Sequence, residues 1–215
     1  MKWFLLLLLL FEMGYAQKTF PNYNAIEPIV TKDFEKFDKK YYDELKIKYY
    51  DELKIKYNDV SFTIYLKDNS YLELTDSSYR LTVPNSYFTL TKGYYKNGNI
   101  KIKGSALNNN SQCKIGTWYE FSEDGKLIKE TNYDEPYKFT FEQVLQFCEK
   151  EKIPLTKGPI TRGVHTEIAR GMDNALKKNV WYVSWFKQSD LIETFVLDAE
   201  TGKVIDKKYS EYINN

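Results

Sequence analysis

The chain has 215 residues, room for one medium domain or two small ones. Its 31 Lys and Arg nearly cancel 30 Asp and Glu, and the resulting +1 charge argues against nucleic acid or an anionic membrane surface as the main partner. Hydrophobic residues at 42% exclude wholesale disorder, and 19 Tyr, 13 Phe and 4 Trp favour strands, because aromatic side chains suit pleated, half-buried surfaces.

Residues 1–16 read as a signal peptide. Lys2 is a short positive start, Trp3 to Phe11 is an unbroken apolar run, and Gly14-Tyr15-Ala16 sets small residues at the two positions a signal peptidase reads. The apolar run falls short of the ~20 residues a helix needs to cross a bilayer. The mature chain is therefore expected to begin near Gln17, to be exported to the periplasm or the extracellular space, and to keep no membrane span after cleavage.

In that oxidising setting one disulfide is open to Cys113 and Cys148. Each also reads as a small core hydrophobe. Cys148 completes the helical spacing Phe141-x-x-Val144-Leu145-x-x-Cys148, and Cys113 alternates with Ile115 as an inward strand residue. Two Cys and one His are too few for a zinc site, and there is neither a phosphate loop nor a Gly-x-Gly-x-x-Gly, so no metal and no cofactor is expected.

Three regions follow the leader. The first, 17–59, is charged and contains an exact tandem octapeptide, Tyr41 to Lys48 repeated as Tyr49 to Lys56. Phe34, Phe37, Tyr41 and Leu45 follow helical steps, whereas Leu45 to Tyr49 alternates like a strand. The spacing predicts a short helix from about Asp33 to Tyr42, then extended chain.

The second region, 60–135, reads as a β-meander. Val60, Phe62, Ile64 and Leu66 alternate with Tyr or polar residues, turns fall at 68–70 and 76–78, and Leu72 and Leu74 resume the alternation. Asn97-Gly98 and Asp124-Gly125 predict two hairpins closed by type I′ turns, in which both central residues take positive φ. The pattern Gly93-Tyr94-Tyr95-x-Asn97-Gly98-x-Ile100-x-x-x-Gly104, then Gly116-x-Trp118-Tyr119-x-Phe121-x-x-x-Gly125-x-Leu127, resembles the bacterial variant of the MORN repeat over about 93–133. That resemblance implies hairpins stacked into a ribbon-like sheet and a non-catalytic scaffold or binding surface.

The third region, 136–215, opens with a helix over about 140–151, capped by Thr140 and stopped by Pro154. Strands are predicted at 164–170, 180–187, 191–197 and 203–207. Between the last two, Asp198-Ala199-Glu200-Thr201-Gly202 reads as a tight turn, with Asp198 bonding the bend and Gly202 supplying positive φ. The order of elements, with Trp181-Tyr182-Val183 and Val196-Leu197-Asp198-Ala199-x-Thr201-Gly202-Lys203-Val204-Ile205, resembles a PepSY domain. That resemblance implies a small extracytoplasmic α+β unit linked with peptidase inhibition or envelope sensing, while the same residues also make a good turn on their own. The fold class expected is α+β: mostly antiparallel meander and hairpins, with one clear helix packed on a C-terminal sheet.

Catalytic constellations are thin. His165 is the only histidine and no Gly-x-Ser-x-Gly elbow accompanies it, so no catalytic residue is assigned and an enzyme is not expected. The binding candidates are aromatic: Tyr94, Tyr95, Trp118 and Tyr119 on the hairpins, and Trp181 and Trp185 on the C-terminal strands. The functional expectation is an exported, non-catalytic interaction module of the cell envelope that takes protein or glycan. The alternatives are an extracytoplasmic hydrolase using Asp or Glu in a cleft, and a peptidase inhibitor acting through the C-terminal region. N-terminal sequencing of the native protein should begin near Gln17; a soluble cytoplasmic pool that retains Met1 would refute the export reading.

Overall fold

The computed structural model describes residues 27–53, 61–160, 163 and 165–212, with backbone alone at 49–53 and 61–62. The leader, Val60 and Val164 lie outside the described residues. Helix α1 (Lys39–Leu53) precedes seven strands: β1 (Ser61–Tyr65), β2 (Tyr71–Thr75), β3 (Ser78–Thr82), β4 (Phe88–Tyr94), β5 (Ile100–Leu107), β6 (Asn110–Phe121) and β7 (Leu127–Asn132). These form one antiparallel sheet in the order of the sequence, the meander read from the alternation. Helix α2 (Phe141–Lys150) follows. Strands β8 (Glu167–Asp173), β9 (Lys178–Gln188), β10 (Leu191–Asp198) and β11 (Val204–Glu211) then form a second antiparallel sheet, ordered β11-β10-β9-β8. The fold is mostly antiparallel β with two helices, where the sequence pointed clearly to one.

Helix α1 corrects the reading of the first region. Residues 33–37 are extended, and the helix runs through the first octapeptide into the second. The reason is local. The Phe37 N–H donates to the Gly98 carbonyl at 2.8 Å, which takes Phe37 out of any helix. Asp38 then accepts from the Tyr41 N–H at 2.8 Å, an N-cap that starts the helix one residue later. Tyr42 and Leu45 of the first copy pack against Leu72 and Leu74 of β2, with Ile64, Tyr79 and Leu81 beside them.

The hairpin glycines are where the sequence put them, but the turns differ. Gly98 has φ +82° and Gly125 φ +89°, while Asn97 and Asp124 are not among the residues with positive φ. The Gly98 N–H donates to the Tyr95 carbonyl and the Tyr95 N–H to the Asn99 carbonyl; the Gly125 N–H donates to Ser122 and the Ser122 N–H to Lys126. Each loop is thus a three-residue connection whose last residue is the left-handed glycine of a bulge, rather than a type I′ turn. Phenylalanines of the extended segment sit against both glycines: Phe37 beside Gly98 and the Phe34 ring against Gly125. At Gly202 (φ +70°) the ring is that of Phe139.

Helix α2 matches its expected span. Thr140 and Gln143 form a reciprocal capping box, and Phe141, Val144, Leu145 and Cys148 are the buried stripe. That stripe enters a core shared by both sheets. Phe88, Leu107, Cys113 and Ile115 come from the seven-stranded sheet, and Ile168, Trp181, Val183, Phe195 and Leu197 from the four-stranded one. The third region therefore has no core separate from the meander. Cys113 and Cys148 are both free and buried in this core, so the pairing open to them in sequence is not made. Burial pushes their thiols up, to about 11 and about 12, and they behave as small hydrophobes.

Gly104 marks the tightest packing in the meander: a Cβ built there would lie 2.2 Å from the Trp118 ring. Gly171 in β8 has open space around the same position. Gly104→Ala should destabilise the protein by about 1–3 kcal/mol or more, and Gly171→Ala by no more than about 0.5 kcal/mol, as read by chemical denaturation of the two variants beside the parent.

Candidate functional site

The six aromatic candidates do not form one surface. Trp118 is buried, its indole N–H donating to the Ser105 carbonyl at 2.9 Å, and Trp181 is fully buried, donating to the Phe139 carbonyl at 2.9 Å. Trp185 is half-buried against the shared core and donates to Glu193 at 3.0 Å. Tyr119 is half-buried in β6, opposite Lys103 in register. Tyr94 packs edge-on against Phe37 at 5.1 Å; burial, with the Glu35 and Tyr79 charges behind it, pushes its hydroxyl far above the usual range. These side chains fill and fasten the fold, because one face of each strand must be covered and indole N–H groups need partners once buried. His165 lies just before β8 rather than within a strand, with Nδ1 3.4 Å from the Thr156 hydroxyl.

Tyr95 is the exception that lines a groove. Phe37, Lys39, Tyr42, Asp76, Ser77, Tyr95, Lys96, Asn97 and Gly98 enclose about 570 Å³ where the start of α1 meets the β2–β3 and β4–β5 turns. The Tyr95 hydroxyl donates to the Phe121 carbonyl at 2.8 Å, which fixes the ring. Asn97 is also fixed, accepting from the Asn99 N–H and donating to the Glu123 carbonyl. Asp76 and Lys96 have no ion-pair partner among the described residues. The groove therefore combines three held rings with two uncommitted charges.

Elsewhere buried charges are committed to structure. Lys103, 2% exposed, donates to Glu35 at 2.7 Å and to the Asp33 carbonyl at 2.6 Å, and Lys92 joins the same carboxylate. Burial would raise the Glu35 pKa, but these two lysines hold it below its ordinary value. Between the sheets, the Arg170 guanidinium donates to Asp134 at 2.7 Å and to the Lys114 carbonyl, and lies over the Tyr137 and Trp181 rings. Glu27 approaches the same junction, where burial and the charges of Asp134 and Glu142 push its carboxyl up against the pull of Arg170. Alternation of Ile100 and Ile102 with Lys101 and Lys103 gave no sign that one lysine would be buried. Phe37, Asp76 and Lys96 were missed because a groove built from three separate turns leaves no spacing pattern.

Among the described residues no helix is long and apolar enough to cross a membrane. No protein-family model, curated protein or solved structure matches this chain.

The C-terminal sheet holds a tightly fastened carboxylate, Glu193. Burial raises the pKa of Glu193, but hydrogen bonds from Lys187 at 2.8 Å, Tyr209 at 2.8 Å and Trp185, with Lys207 at 3.5 Å, outweigh it and bring the group down to about 2. A carboxyl lowered from its ordinary 4.5 contributes stability that is fully present above that value and is lost as the pH falls toward about 2. Glu193→Gln should cost about 1–3 kcal/mol at neutral pH, since two lysines lose their counter-charge. It should also flatten the fall in stability between those two pH values, as measured by denaturation at a series of pH.

Proposed function

We propose that this is an exported, non-catalytic binding module whose ligand lies in the groove between α1 and the hairpin turns. The observation that carries this reading is the groove's makeup: the rings of Phe37, Tyr42 and Tyr95 with Asp76 and Lys96 uncommitted beside them. Concave sites lined by rings and a few placed polar groups hold small or narrow ligands. Rings offer flat apolar faces and the turn residues offer donors and acceptors, a mixture suited to a stretch of glycan. The likeness of residues 93–133 to the MORN variant, and of the C-terminal strands to PepSY, supports a binding surface over an active site. The signal-peptide pattern supports an address at the cell envelope.

Asp76 and Lys96 are exposed turn residues, so their removal should leave the fold intact. Envelope glycan fragments should bind the mature protein saturably, and Asp76→Ala with Lys96→Ala should weaken that binding about tenfold or more with an unchanged melting curve. Equal binding by parent and double variant would overturn the groove as the site. If glycans fail and crosslinking in the native envelope captures one protein with the parent but not the variant, the ligand is that protein.

A further inference from the structure

A second cavity, of about 340 Å³, lies at the junction of the two sheets, walled by Gln112 and Lys114 of β6, Thr131 and Asn132 of β7, Tyr133, Pro136 and Tyr137, and Arg170 and Gly171 of β8. One of its walls is Lys114, which alternates with the inward residues Cys113 and Ile115 and so points to the opposite face of β6. The Lys114 ammonium sits 4.4 Å from the Trp118 ring centroid and 4.9 Å from that of Tyr133, and donates to the Tyr133 hydroxyl at 3.1 Å. Two features distinguish it from the buried cations elsewhere in the protein. It has no carboxylate partner among the described residues. Asp134, the nearest candidate in sequence to Tyr133, is already taken up by Arg170 and by the Gly116 N–H.

The groups around Lys114 are short of acceptors. The Tyr133 oxygen accepts from Lys114, leaving its proton to donate, and the Thr131 hydroxyl is buried without a partner among the described residues. A partly buried ammonium with no carboxylate partner and a buried hydroxyl with no partner, both among the described residues, make a chemically incomplete arrangement, because buried donors and charges are ordinarily satisfied. An anion completes it. Arg170 and Asp134 pair with each other at the wall, and Lys114 is left as a single cation of the lining without a carboxylate partner among the described residues, which suits a monoanion over a phosphate dianion. The Tyr133 and Tyr137 rings and Pro136 provide room for a small apolar or aromatic body behind the charged head.

We propose that this junction cavity binds a monocarboxylate, with the carboxylate on Lys114, Tyr133 and Thr131 and its apolar body against the tyrosine rings. The site is separate from the groove at α1, and either can fail without the other. The test is a nitrogen–proton NMR titration of the mature protein with sodium benzoate, with benzamide as the uncharged match, and with N-acetyl-Gly-Phe as free acid and as amide. Benzoate should give saturable shifts at the amides of Lys114, Thr131 and Tyr133, and benzamide should bind about tenfold more weakly or worse. Tighter binding by the peptide acid than by benzoate would identify a chain end as the carboxylate's source, and weaker binding a free small acid. Lys114→Met should abolish the preference for benzoate over benzamide. Thr131→Val, which removes one donor and no charge, should reduce benzoate affinity several-fold, and it decides the matter if Lys114→Met does not give a native spectrum. Equal shifts by benzoate and benzamide, no saturable shifts, or undiminished benzoate binding by a folded Lys114→Met or Thr131→Val protein would overturn the proposal.

Discussion

A single guanidinium fixes the relation between the two sheets. Arg170, its side chain 5% exposed, starts from β8 and reaches the Lys114 carbonyl of β6, the Asp134 carboxylate beyond β7, and the faces of Tyr137 and Trp181. A planar, permanently charged fork can serve a carbonyl, a carboxylate and two rings together, which an ammonium could not do in the same geometry. Once it is buried, losing Asp134 would leave an uncompensated charge in a low-dielectric interior, and losing the carbonyl would leave a donor unsatisfied. The angle between the sheets is therefore held by a polar constraint, and the shared core of Phe88, Ile115, Leu145, Trp181 and Phe195 packs within limits that the constraint sets.

The same logic operates at the other end of the seven-stranded sheet. Residues 33–38 cross its face as an extended strap, and Glu35 satisfies both Lys92 and Lys103. The strap needs those lysines as much as they need it, since few backbone bonds hold it: Phe37 to Gly98, Ile100 to Glu35, and a bridge from Lys36 to Asn99. Phe34 and Phe37 then lie on the two hairpin glycines. Glycine is required at Gly125 for two separate reasons, the left-handed backbone and the ring resting where a Cβ would project. The groove with Tyr95 follows from this arrangement, because Phe37 reaches the hairpin only where the strap turns into α1.

What the sequence made legible is what local chemistry determines. The meander was readable because alternation and turn residues act over two to five positions, and α2 because Thr140, Gln143 and a 3.6-residue stripe all agree. The turn type was misjudged since Asn-Gly and Asp-Gly are compatible with both a type I′ turn and a glycine bulge, and only the φ of the first residue separates them. Helix α1 was displaced because Phe34 and Phe37 mimic a helical stripe while serving the strap, a tertiary use that overrides local spacing. Trp118 and Trp181 stand among the binding candidates in sequence because abundance of aromatics says nothing about which side of a strand is covered, and the same residues suit a core role equally; both are buried.

Charge was the least legible feature, and the reason is physical. Lys103, Lys114 and Lys126 are equivalent as letters in alternating strands and turns, yet their surroundings differ in kind. Lys126 is solvated beside Asp124, where an ion pair contributes little. Lys103 is enclosed and paired, so its charge serves the strap. Lys114 is enclosed by rings, which attract a cation but cannot accept its hydrogen bonds as a carboxylate would. Pairing is a property of three-dimensional neighbours contributed by distant segments, Glu35 in one case and no carboxylate among the described residues in the other. The difference between a structural charge and one facing a cavity therefore arises only when the strap, the sheets and Arg170 are in place together.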